Sequence, residues 1–331
     1  MAPQDPLEIQ QEAFAFIKKG IALGEALQLD DAIAVYDEAV RRYGDRTEAG
    51  IAVLVAKALY NKAVLRGRAG LFDDAVDVCD EVLRRYADLA DFVFAETVAK
   101  ALFGKGVNLG KAGRTDDAMA AYDELVRRYR DRGEAAIAVE VAKALLNRGV
   151  NLGKAGRTDD AMAAYDEIVR RYGDRGEAGI AERVAKALFN RGAGLAKAGR
   201  GDDAMAAYDE VVRRYGDRGE TAIAEQVAKA SLNRRLIDVM QKVEVAITDA
   251  TEVLAEAFDG DRSARPTGRL MQLAKQCDKV CQELRAANSA WEPESAEAWQ
   301  LRVVRLEKLL ERMTATIKAI RSAKDERAGS K

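Results

Sequence analysis

The chain has 331 residues, with 53 basic and 55 acidic side chains and a formal charge of −2, a balance that excludes any global pull toward nucleic acid or membrane surfaces. Histidine is absent, which removes the commonest general base and metal ligand at neutral pH, and three cysteines make no disulfide framework. The length exceeds what one compact core usually holds, while four prolines, 6% aromatics and abundant Ala, Leu, Arg, Glu and Asp favour helix throughout.

Residues 1–11 read as a tail and the start of a first helix. "MAPQDPLEIQQEAF" lacks the basic stretch and apolar core of a secretory signal. No run approaches the roughly 20 apolar residues of a membrane span, so the cytoplasm is the expected location.

From residue 12 a period sets in. The pentad "VAKAL" begins at Val55, Val98, Val141 and Val184, and "VAKAS" at Val227, in steps of 43 residues. Extended backward, the step lands on Glu12, so five units fill 12–226 and a sixth begins at Val227. A fixed period of this size predicts stacked supersecondary units, each burying a face against its neighbours.

Each unit reads as two helices. In the unit from Asp174, that residue and Glu177 have capping-box spacing, and a long helix then runs to Gly199, a residue suited to a left-handed C-terminal cap. Thr115 and Thr158 are N-cap candidates for the second helices, whose paired aspartates suit the positive helix end and whose final arginines suit the negative one.

Gly149, Gly156, Ala161 and Tyr165 follow one another at spacings repeated by Gly192, Gly199, Ala204 and Tyr208 and by Gly106, Gly113, Ala118 and Tyr122. This order resembles the tetratricopeptide repeat, whose small and aromatic positions let two antiparallel helices pack closely. The common form has about 34 residues. The longer unit here resembles the repeats of kinesin light chains, with the extra length in the first helix. Basic Lys105, Arg148 and Arg191 stand where the family has a large apolar residue, so the contact between repeats should differ.

The resemblance implies a superhelix whose concave side is lined by first-helix residues. Carried over, that side presents Lys100, Lys143, Lys186 and Lys229, then Asn61, Asn147, Asn190 and Asn233 one turn later, with Gly104 breaking the series. Lys111, Lys154 and Lys197 follow. Steps of three, four and seven keep these residues on one helix face. A carboxamide both donates and accepts, so an asparagine ladder could hold the backbone of an extended peptide. Lysines around it would favour acidic segments. Recent duplication would copy the same columns without any such role, and both readings stand at this point.

Other motifs are weaker. "GVNLGKAG" has the wrong spacing for a phosphate loop and no Ser or Thr after its lysine. "DGDRS" at Asp259 lacks the glycine and bidentate glutamate of a calcium loop, since Ala264 and Leu270 stand there. Cys79 replaces a recurrent tyrosine and reads as a buried thiol; Cys277 and Cys281 have no partner set for a metal. The "AAYDE" carboxylates are expected to face solvent. No nucleophile with its base, cofactor motif or metal set can be assembled, so neither catalysis nor a cofactor is expected.

The period ends near Leu236. Leu236, Met240, Val243, Ile247, Ala250, Leu254 and Ala257 step by three and four. So do Leu270, Leu273, Cys277, Val280, Leu284 and Ala287, and then Trp299, Val303, Leu306, Leu310, Met313, Ile317 and Ile320. With "FDGDRSARPTG" and "NSAWEPES" as connections, this predicts an antiparallel three-helix bundle over 236–322 and a polar tail over 323–331. The seams could close the solenoid's last face or pair between chains as a homodimer.

The expectation is an all-α protein: a solenoid over 12–235, counting a capping helix, followed by the bundle. Its expected role is an adaptor that binds a protein or extended acidic peptide. The runner-up is a peptide-responsive regulatory sensor. Nucleic-acid binding along the lysine rows is disfavoured by neutral charge and few aromatics.

Overall fold

The computed structural model describes residues 5–89, 92–259, 268–289 and 296–328, and in them every regular element is a helix. Ten helices alternate between a longer first and a shorter second member of each repeat. They are α1 (Pro6–Glu25) and α2 (Leu29–Tyr43), α3 (Ala49–Arg68) and α4 (Phe72–Tyr86), α5 (Phe92–Lys111) and α6 (Thr115–Tyr129), α7 (Ala135–Lys154) and α8 (Thr158–Tyr172), α9 (Ala178–Lys197) and α10 (Gly201–Tyr215). Three longer helices follow: α11 (Thr221–Asp259), α12 (Gly268–Ser289) and α13 (Ala296–Ala328). The predicted connections at 260–267 and 290–295, the tail from 329 and the side chains of Ala257, Leu270 and Trp299 lie outside the described residues. Among the described residues no helix is long and apolar enough to cross a membrane.

The hairpins close where the sequence supplies glycine. Gly70, Gly113, Gly156 and Gly199 take positive φ between +75° and +81°, the left-handed cap that glycine adopts at least cost. A second glycine allows the two helices to meet. A Cβ on Gly192 would stand 2.6 Å from the Tyr208 ring, so only hydrogen fits there. The same contact recurs between Gly149 and Tyr165 and between Gly106 and Tyr122.

Two capping expectations fail. Thr115 and Thr158 are the first helical residues, the caps are Arg114 and Arg157, and neither makes a side-chain capping bond. These arginines instead donate to Asp117 at 2.8 Å and Asp160 at 2.7 Å, tying the cap to the first turn by charge. Asp174 lies in a turn outside α9, and Glu177 is held by Arg175 at 3.0 Å. An arginine two residues upstream competes for the carboxylate that a capping box would use.

Contacts divide the chain into two compact units, Met1–Asn190 and Arg191–Lys331. In the first, α1, α3, α5 and α7 lie side by side, each packed on the next, while the second helices of successive repeats are not packed along one another and meet through long side chains, as Arg85 does at Gly44 and Arg128 at Ala87. The core is built from the copied apolar columns, with Val55, Val98 and Val141 and the alanines Ala58, Ala101 and Ala144 all buried.

In the second unit α11 packs on both α10 and α13 and runs without a break at residue 235. Helix α13 also packs along α12. Leu236, Val243, Cys277, Leu284, Leu306, Met313 and Ile320 form one buried core, widened by Val239 and Val253 beyond the expected seam. Ion pairs fasten its rim: Arg235–Glu307 at 2.7 Å, Arg312–Glu283 at 2.7 Å and Lys324–Glu256 at 2.8 Å.

Candidate functional site

The asparagine column faces inward to the stack. Asn147 donates to the Tyr122 hydroxyl at 3.2 Å, Asn61 to Tyr36 at 3.3 Å and Asn233 to Tyr208 at 3.3 Å. Asn190 makes the same bond to Tyr165. Each tyrosine is largely buried, and burial raises its pKa, with Tyr165 pushed up to about 12; the asparagine bond opposes that rise. A buried hydroxyl needs a partner, and the next repeat supplies it.

Where the tyrosine is missing, so is the asparagine. Cys79 stands at the tyrosine position of its repeat, and 25 residues later, the spacing that joins Asn147 to Tyr122, stands Gly104. A Cβ on Gly104 would meet the Cys79 sulfur at 3.6 Å, so the two sites are direct neighbours. Burial pushes the Cys79 thiol up to about 12, which suits an inert core residue.

The residue after each asparagine position is basic and reaches the aspartate after the tyrosine. Lys105 meets Asp80 at 2.6 Å, Arg148 meets Asp123 at 2.9 Å and Arg234 meets Asp209 at 2.7 Å; Lys62 pairs with Asp37. This ionic contact between repeats is the difference that the basic residues predict. The aspartates of "AAYDE" are exposed, as expected, and make these ion pairs at the surface. The neighbouring glutamates bind the arginine pair a turn later, and Glu38 is held down to about 2 by Arg41 and then Arg42.

The lysine column of the first helices is neutralised in place. Lys100 pairs with Glu96 at 2.5 Å, Lys143 with Glu140 at 2.9 Å, Lys186 with Glu182 at 2.6 Å and Lys229 with Glu225 at 2.5 Å. Lys143 also lies 5.5 Å from the Phe103 ring centroid. The first three are half-buried and Lys229 is exposed. The third column differs. Lys111, Lys154 and Lys197 are exposed, and Lys111 and Lys154 form no ion pair among the described residues.

Two cavities open on the first helices of the first unit. One, of about 550 Å³, brings together Lys111, Asn147, Asn151 and Lys154 with Val107, Val150 and Tyr122. The other, of about 530 Å³, has Asn61, Lys57 and Lys100 beside Phe14, Ile17, Ile21, Leu54, Tyr60 and Thr97. Both volumes fall in the range of small-ligand sites, roughly 300–1,000 Å³. Lys143 and Lys186 line neither, while Lys197, Lys229 and Asn233 belong to the second unit. Asn151, Lys57 and Thr97 are additions that the repeated columns did not single out. Among the described residues no group of His, Cys, Asp and Glu is arranged to hold a metal ion.

Among curated proteins no sequence matches the chain. Solved structures do. The apo form of RapI aligns with a TM-score of 0.51 at 12% identity, over 94% of this chain and 99% of that one. A tetratricopeptide repeat protein from Parabacteroides merdae aligns at 0.45 and 15% identity, over 94% and 99%. A Rap conjugation regulator of plasmid pLS20, solved with the Phr* peptide, also aligns at 0.45 and 15%, over 94% and 75%. At these identities the likeness to RapI speaks to fold. The tetratricopeptide repeat family model matches the sequence itself over residues 17–90, 103–174 and 146–219. With more than half of its length matched and glycine set against tyrosine in four of the five repeats, the chain belongs to the tetratricopeptide repeat family.

Proposed function

We propose that this protein is a scaffold that holds an extended segment of another protein along the inner face of its first helices. On this reading residues 12–235 are the binding array and 236–322 the bundle that covers its last hairpin. The observation that supports it most is the cavity between α5 and α7, where two exposed lysines without acidic partners flank Asn147 and Asn151. A charged group that the fold does not neutralise is available to a guest, and the amide groups beside it can pair with peptide backbone.

The guest's contacts come from Lys111 and Lys154 and from the free edges of the asparagines. Lys100, Lys143, Lys186 and Lys229 contribute background charge, because each already has a glutamate. The same asparagines support the stack through the tyrosine bond, so removing them tests folding before it tests binding. Acidic segments suit this surface; Lys197 extends the column.

Site-specific photo-crosslinking separates this reading from binding on the outer side. A benzophenone side chain at Val150, in the cavity, should capture the partner in extracts of the native host, and one at exposed Arg170 on α8 should not. Adducts from Arg170 with none from Val150 would move the partner to the second helices.

A further inference from the structure

The lysine column contains a fifth member that breaks its own rule. In the other four, a glutamate sits three or four residues before the lysine, and it changes place without being lost. Val139 stands four before Lys143, and Glu140 then stands three before it. Lys57 has Val53 and Leu54 at those two positions, is exposed, and forms no ion pair among the described residues.

The column's first position, one period before Lys57, is not lysine but Phe14. Phe14 is 51% exposed and, with Ile17 and Ile21, forms one wall of the cavity of about 530 Å³ that Lys57 also lines. Tyr60 and Thr97 line it too, and neither hydroxyl has a hydrogen-bond partner among the described residues, although Thr97 is only 6% exposed. The acid in the cavity, Glu96, is paired with Lys100, which leaves the positive charge of Lys57 uncompensated.

An apolar wall, an uncompensated cation and two unpaired hydroxyls within one cavity describe a specific guest. We infer that this cavity anchors a peptide in which a large apolar side chain lies beside an aspartate or glutamate. The apolar side chain packs on Phe14, Ile17 and Ile21. The carboxylate accepts hydrogen bonds from the Lys57 ammonium, and the hydroxyls of Tyr60 and Thr97 serve the adjoining backbone. The inference rests on the reading of the first-helix face as the binding face and fixes what it recognises at this end.

The test is selection of a phage library of random dodecapeptides on the whole chain, followed by titration of synthetic copies of the enriched sequences. Enriched peptides should place Leu, Ile or Phe within two residues of Asp or Glu. Lys57→Gln should weaken them at least about tenfold, the scale of one charge-assisted hydrogen bond. Lys57→Arg should restore most of the loss, and Phe14→Ser should weaken the apolar contribution. Lys57 is exposed, so an unchanged melting curve is expected for both of its variants. Peptides whose affinity depends on Lys111 and Lys154 but not on Lys57 or Phe14 would overturn the inference and leave the binding face standing. No enrichment, or binding indifferent to both sets, would overturn both.

Discussion

At the scale of single residues the fold is decided by what each hairpin leaves out. Two glycines in first helices have identical propensities and opposite roles. A Cβ at Gly192 would enter the Tyr208 ring at 2.6 Å, whereas one at Gly153 would rest at 3.9 Å from the Ala161 Cβ. Gly192→Ala should therefore destabilise the protein by ~1–3 kcal/mol, the cost of overpacking. Gly153→Ala should stabilise it by ~0.5 kcal/mol through lower unfolded-state entropy. Urea unfolding of the two variants checks the signs, and equal signs would contradict the packing described. The asparagines illustrate how far residue patterns can be read. Their column was visible, but a spacing of 25 residues to tyrosine becomes a contact only once the hairpin folds. The signal for it was present in the joint departure of Cys79 and Gly104 from the pattern.

At the scale of elements, the repeats are joined by polar contacts that composition does not disclose. The second arginine of each "RRY" was expected to favour its own helix end. It binds a glutamate of its own helix and also reaches the end of the previous second helix. Arg128 donates to the Ala87 carbonyl at 2.6 Å, Arg85 to Gly44 at 3.2 Å and Arg171 to the Arg130 carbonyl at 3.3 Å. C-terminal carbonyls have no partner within their own helix, so this bond satisfies a group the fold would leave to water. Arg128→Ala should cost about 1 kcal/mol, with Arg128→Lys recovering part of it. Thermal melts of the two variants measure this, and a wild-type midpoint for Arg128→Ala would show the bond to be incidental. Helix existence, the glycine stops and the second-helix arginine signal were legible because they depend on near neighbours. The caps at Thr115, Thr158 and Asp174 were misread because arginines beside them captured the acidic partners.

At the scale of the whole molecule, the near-zero net charge conceals an uneven economy of charge. Most first- and second-helix cations are matched within a turn or across a repeat; Lys57, Lys111 and Lys154, which have no ion pair among the described residues, line cavities of the first unit, whereas Lys18, Lys19 and Lys197, likewise without one, line neither. The family and the helical layers were legible from the period. Which lysines are free was not, because the matching glutamate slides between two positions from one copy to the next. The central claim is that the first-helix face is the surface a partner occupies, and charge reversal at its free lysines tests this most directly. With a partner purified from the native host, calorimetric titration of Lys111→Glu/Lys154→Glu should show affinity for the partner lost or reduced by at least about tenfold. Lys308→Glu on α13 should leave it unchanged. Wild-type affinity in the double variant, or loss in Lys308→Glu alone, would contradict the account.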